Sequence, residues 1–135
     1  MVLNMLLHVR MELMPYLFLY WALGIKPGDE VVTVAHTWIS TSEAIAMTGA
    51  LPVFVDITGE DFNIDVNKIE AKITSRTKVI MPVSLYGQMT DYKKIREIAD
   101  KYNLAVIEDG AQSFGAELDE YKSCCCKYTE IATTS

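Results

Sequence analysis

Basic residues are few and scattered. Twelve Lys and Arg stand against eighteen Asp and Glu, a formal charge of −6, and nowhere do the cations cluster. The chain therefore offers no basic stripe for a nucleic-acid backbone and no patch for an anionic membrane surface. Any phosphate it binds must be held by a few local groups. Cysteine is confined to three neighbours, Cys124, Cys125 and Cys126. Adjacent residues cannot supply the spacing of a tetrahedral zinc site or of a disulfide framework, so reduced thiols and a cytoplasmic protein are expected. His8 and His36 have no partner at ligand spacing, and no metal site is expected. The strongly apolar stretch Leu13 to Ile25 (LMPYLFLYWALGI) falls short of the roughly 20 residues that span a bilayer, and Arg10 and Glu12 stop it growing backwards. Nothing positively charged precedes Met5 and no small-x-small cleavage pattern follows, which argues against a signal peptide. Pro15 is expected to break any helix through this stretch.

What is present is an alternation of strand and helix signals. Half of the residues are hydrophobic and 22% are charged, enough for one modest domain, and no linker or repeat suggests a second. Gly24 to Glu30 is a Pro/Gly turn, and Val31 to Ala35 is a β-branched run that reads as a strand. His36-Thr37-Trp38 is a loop, and Ser40 or Thr41 could cap a helix that ends at Gly49. Pro52 to Asp56 is the next strand. Asp65 caps a short helix in which Val66, Ile69 and Ile73 recur at helical spacing. Thr77 to Val83 is a buried strand, Leu85-Tyr86-Gly87-Gln88 the loop leaving it, and Asp91 to Tyr102 a helix burying Ile95, Ile98 and Ala99. Units of this length imply an α/β fold: a mostly parallel sheet with helices on both faces.

The stretch Ala105-Val106-Ile107-Glu108-Asp109-Gly110 closes this series. It is an apolar strand that stops at two carboxylates, where α/β proteins place their chemistry. Side chains alternate along a strand, so Glu108 and Asp109 face opposite ways and do not form one acid/base pair. Asp109 is the first candidate for a functional residue. The competing reading is that both acids cap a following helix. Asp56, also at a strand end, reads as structural.

Five motifs stand in order between Gly28 and Ala116: Gly28-Asp29-Glu30-Val31, Thr37-Trp38-Ile39, Pro52-Val53-Phe54-Val55-Asp56-Ile57, Leu85-Tyr86-Gly87-Gln88 and Ile107-Glu108-Asp109-Gly110-Ala111-Gln112-Ser113-Phe114-Gly115-Ala116. Each is weak alone; in register they are specific. Together they resemble the DegT/DnrJ/StrS family of pyridoxal-phosphate sugar aminotransferases, and the resemblance covers about Trp21 to Ser135. It implies part of the large domain of a fold-type I, aspartate aminotransferase-like transferase over residues 21–135. It also implies pyridoxal 5′-phosphate as cofactor, a nucleotide-linked keto-sugar as substrate, commonly glutamate as amino donor, and a homodimer when full length. Carried over residue by residue, Asp109 matches the carboxylate that keeps the pyridine nitrogen protonated. Gln112 matches the amide beside the ring's phenolic oxygen, Trp38 the aromatic stacked on the ring, and Ser135 a phosphate-binding hydroxyl. Two readings compete with it: a non-catalytic binding or interaction module of the same fold, and a pyridoxal enzyme acting on amino acids.

The chain departs from the family pattern twice. The family's Schiff-base lysine would lie about five residues beyond Ser135, so no catalytic residue is assigned here, and nothing promotes Lys122 or Lys127 to that role. At the start, the family opens a helix with a glycine-threonine turn that cradles the cofactor phosphate, and Met11 to Pro15 cannot do so. The genetic code supplies an explanation. Read from each third base, Met11 followed by Glu12 forces a glycine codon, and Met14 followed by Pro15 forces an alanine codon; the surrounding positions permit Asn-Gly-Thr-Asp-Ala-Leu. Residues 1–20 are accordingly expected to be an out-of-frame rendering of that loop, restored by one extra base near codons 16 to 20. The coding DNA tests this: the codons for Arg10 and Glu12 should both end in A, and any other third base at either position removes the motif.

Overall fold

The computed structural model describes residues 14–124 and 127–134. Its centre is a five-stranded parallel sheet in the order β2-β1-β3-β4-β7, formed by β1 (Glu30–Val34), β2 (Leu51–Val55), β3 (Thr77–Ile80), β4 (Ala105–Asp109) and β7 (Ile131–Thr133). The helices are α1 (Met14–Ala22), α2 (Ile39–Met47), α3 (Val66–Ile69) and α4 (Tyr92–Tyr102), and a two-stranded hairpin of β5 (Glu117–Leu118) and β6 (Tyr121–Lys122) lies between β4 and β7.

Alternation along the strands sorts the core onto two faces. Val31, Val79, Met81 and Ile107 pack with Tyr16, Leu19 and Tyr20 of α1 and with Ala44 and Ile45 of α2. Val32, Val34, Ile80 and Val106 pack with Ile69 of α3 and with Tyr92, Ile95 and Ala99 of α4. Both faces are covered, so all five residues of β1 are buried and no polar alternation is visible in it. The split follows from connectivity. The chain steps from β1 to β2 in one direction and from β2 across to β3 and β4 in the other, and crossovers of one hand must then lie on opposite faces.

Local chemistry sets the ends of these elements. Asp91 caps α4 by accepting the Lys94 N–H at 3.1 Å, and Asn103 ends it in the left-handed conformation. Asp65 caps α3 through the Asn67 N–H, and the expected helix continues only as a 3₁₀ turn, Glu70–Lys72. Trp38, not Ser40 or Thr41, occupies the N-cap of α2; both hydroxyl residues lie inside the helix and are buried.

Pro15 does not interrupt α1. It stands second in the described span of α1, and its fixed φ suits a helix. The remainder of that apolar stretch is core: Tyr16, Leu17, Leu19 and Tyr20 are buried, and the Tyr20 hydroxyl meets Met81 Sδ at 2.7 Å. Residues 1–13, which include most of the segment read as out of frame, lie outside the described residues, as do Cys125, Cys126 and Ser135.

The turn after α2 allows little substitution. Gly49 has φ +81°, and a Cβ there would stand 2.9 Å from Pro27 Cβ and Cγ. Gly49→Ala should therefore lower stability by about 1–3 kcal/mol, the combined scale of left-handed strain and overpacking. A urea titration of both chains measures this directly, with the slope unchanged if the fold is kept.

Candidate cofactor site at the carboxyl end of the sheet

Asp109 ends β4, and its backbone is held from both sides. Its N–H donates to the Pro82 carbonyl at 3.1 Å, its carbonyl accepts from the Ser84 N–H at 2.9 Å, and the Gly110 N–H donates to the Thr133 carbonyl at 2.9 Å. Gly110 has no room for a side chain, since a Cβ would lie 2.5 Å from Cys124 Sγ and 3.0 Å from Ser123 Oγ. No helix follows; residues 111–115 form turns. The helix-capping reading of the two acids is thereby corrected, because the chain turns at once into the β5–β6 hairpin.

The two acids face opposite sides, as the pleat requires. Glu108 is fully buried on the α3/α4 face. Its Oε1 accepts from Ser123 Oγ at 2.8 Å, and Ser123 Oγ is 2.6 Å from Ser113 Oγ, so this acid ties the turn to the strand. Asp109 lies on the α1/α2 face and is 3% exposed. Thr41 Oγ1 donates to its Oδ2 at 3.2 Å, the Ala111 N–H to its Oδ1 at 3.2 Å, and the Tyr16 hydroxyl hydrogen-bonds it as well. Burial pushes its carboxyl up from the ordinary aspartate range, partly offset by those three donors. Burial likewise raises Glu108.

The other residues read from the sequence lie around this strand end. Trp38, the N-cap of α2, is 66% exposed. Gln112 is exposed, and its Oε1 accepts the Tyr86 N–H at 3.1 Å, which leaves the amide NH₂ without a partner among the described residues. Asp56 is exposed, accepts from the Ile57 N–H and pairs with Lys68 at 3.2 Å, in keeping with a structural role. Ser135 lies outside the described residues. Sequence reasoning missed Thr41 and Tyr16 as partners of Asp109. The spacing of Thr41, one helical turn after Trp38, was the available signal for the first. For Tyr16 there was none.

A pyridine ring fits this donor set. A carboxylate offers about four acceptor positions, and Tyr16, Thr41 and Ala111 use three at Asp109. Among the described residues no cation pairs with it. A buried acid held only by neutral donors has both a place and an electrostatic need for one cationic N–H.

Comparison with known proteins agrees with the motif order. The family model of the DegT/DnrJ/EryC1/StrS aminotransferases matches residues 16–135. The chain belongs to the DegT/DnrJ/EryC1/StrS aminotransferase family. This aminotransferase-family chain is 51% identical over 114 residues to the UDP-2-acetamido-2-deoxy-3-oxo-D-glucuronate aminotransferase of Pseudomonas aeruginosa, covering 84% of itself and 31% of that protein. It is 49% identical over 102 residues to the GDP-perosamine synthase of Caulobacter vibrioides, covering 76% and 28%. Among solved structures it resembles NtdA of Bacillus subtilis with bound cofactor PMP, at TM-score 0.73 and 45% identity over 74% of this chain and 23% of that one. An aminotransferase of Psychrobacter cryohalolentis matches at TM-score 0.75 and 38% identity, over 77% and 26%. The chain thus spans no more than 31% of the length of any of these four proteins. The fold is part of the fold-type I transferase domain, and intact members of the family use pyridoxal phosphate.

The raised Asp109 carboxyl makes a testable statement about pH. The folded chain holds this proton to higher pH than the unfolded chain does. Stability therefore falls as pH rises from the ordinary aspartate range to the raised folded value, and the cost is full above both. Asp109→Asn removes the charge and keeps the shape. It should raise the thermal midpoint at neutral pH relative to the parent and flatten its decline above the carboxylate range; an unchanged pH profile would contradict the buried charge.

Proposed function

We propose that this chain builds the pyridine-ring side of a pyridoxal 5′-phosphate site in an aminotransferase that transfers an amino group, commonly from glutamate, to a nucleotide-linked keto-sugar. The single observation that carries the reading is Asp109, a buried carboxylate at a strand end with neutral donors and, among the described residues, no cation. When bound, pyridoxal phosphate supplies an electron sink, which works while its ring nitrogen stays protonated. Asp109 holds that proton at the ring nitrogen by favouring the charged form. Thr41, Tyr16 and the Ala111 N–H hold the carboxylate in place. The Tyr86 N–H fixes the Gln112 amide through Oε1, so that its NH₂ is the half presented to a ring oxygen. Trp38 offers an exposed aromatic face to the ring, and Ser135 completes the set as a phosphate hydroxyl.

The substrate class rests on the names of relatives, which include aminotransferases of UDP- and dTDP-linked sugars. We infer from the family resemblance, not from those names, that the whole protein is a cytoplasmic homodimer of amino-sugar and cell-surface polysaccharide synthesis. A second reading is favoured by the lysines that follow Asp109. Lys122 pairs with Glu117 at 2.9 Å, and Lys127 lies over the rings of Tyr121 and Tyr128 at 4.8 and 5.2 Å. Neither is poised to form a Schiff base, and on this second reading the chain is a non-catalytic binding module of the same fold.

Titration with pyridoxamine 5′-phosphate, whose amine cannot condense with lysines, tests the site. The parent chain should bind it saturably. Asp109→Asn should bind at least about tenfold more weakly, the scale of a hydrogen bond to a charged group. Equal affinity in the two chains would remove Asp109 from the site.

A further inference from the structure

The sheet order places its topological switch between β1 and β3, where neighbouring strands send their chains away in opposite directions. Open α/β sheets leave a crevice for ligands there. Three aromatic side chains meet across it: His36 follows β1, Phe62 follows β2, and Tyr86 follows β3. Their ring centroids lie 6.0 Å (His36–Phe62), 6.1 Å (His36–Tyr86) and 6.0 Å (Phe62–Tyr86) apart, and His36 Nε2 is 3.1 Å from the Tyr86 hydroxyl. The cluster also abuts the cofactor site, because the Tyr86 N–H is the donor to Gln112.

Folding does not account for these residues. Tyr86 has φ +54° and ψ +29°, a conformation that glycine adopts freely and that strains a tyrosine. Its ring returns little for that strain, being 62% exposed and, among the described residues, hydrogen-bonded only to the exposed His36. Phe62 also has a positive φ, +61°, and is 45% exposed. Two strained aromatics held open toward solvent at a switch point fit a surface kept for a ligand.

We propose that His36, Phe62 and Tyr86 form a stacking platform for an uncharged ring of the substrate, either the sugar or the nucleobase. This rests on the nucleotide-sugar reading above and deepens it. The platform contains no lysine or arginine, so the diphosphate between the two rings must be held elsewhere. Ring faces suit CH-rich or planar surfaces, and the His36–Tyr86 edge supplies polar groups for hydroxyl or carbonyl partners.

The test is an NMR titration of the isotope-labelled 135-residue chain with two separate probes, uridine and the methyl glycoside of N-acetylglucosamine. A saturable shift of the His36, Phe62 and Tyr86 ring resonances is expected with one of them, and which one tells base from sugar. Tyr86→Gly should fold with an equal or higher thermal midpoint, since glycine takes the same φ without strain. It should bind the effective probe about tenfold more weakly, the loss expected of one stacking contact. Phe62→Ala gives an independent second variant with the same expected loss. Ring resonances that respond to neither probe would overturn the platform, as would undiminished binding by both variants. The pyridoxamine phosphate titration reports separately on Asp109 and Gln112, so failure of the cofactor reading and failure of the platform leave different residues silent.

Discussion

The structure depends on keeping one carboxylate buried and usable. A charge taken out of water must be hydrogen-bonded or it shifts its pKa and neutralises. At Asp109 the donors come from three different parts of the chain: Tyr16 from α1, Thr41 from α2, and the Ala111 N–H from the turn that follows. Each requires another element in place. Thr41 reaches the acid only because α2 begins at Trp38, and Tyr16 only because α1 packs beside it on the same face of the sheet. The strand end is pinned at once to Pro82, Val83 and Ser84, just beyond β3, and to β7, so the carboxylate cannot move without the sheet.

The neighbouring acid divides the work. Glu108 points to the other face and organises Ser123 and Ser113, which fold the turn back beneath the strand. The close approach this produces explains Gly110, whose missing side chain is the space that Cys124 and Ser123 fill. A one-residue slip of β4 would exchange the two faces and carry Glu108 to the side that Asp109 occupies. Register therefore decides which acid reaches the proposed cofactor site.

Local patterns carried much of the fold into view. Asp65 and Asp91 cap helices because a short carboxylate before an apolar periodic run satisfies free N–H groups, a rule that needs no tertiary context. The alternation of strand and helix foretold the parallel sheet, since parallel neighbours need crossovers of this length. Reading failed where a residue had two uses. Pro15 reads as a helix breaker, yet it stands within α1, where its fixed φ suits the helix. Ser40 or Thr41 reads as a cap, whereas Thr41 is a buried donor, because its partner lies 68 positions away.

By itself the amino-acid order determined the class of fold, the strand that ends in two acids, the opposite facing of Glu108 and Asp109, and the family to which five ordered motifs belong. These are consequences of periodicity and local sterics, which act between near neighbours in the chain. Only the tertiary structure decided that Asp109 takes its hydrogen bonds from Tyr16 and Thr41, that the Tyr86 backbone orients Gln112, and that His36, Phe62 and Tyr86 converge at the switch point. Those contacts join residues from separate strand-helix units. They exist only once hydrophobic burial on both faces has set the order β2-β1-β3-β4-β7 and brought the carboxyl ends of the strands to one edge.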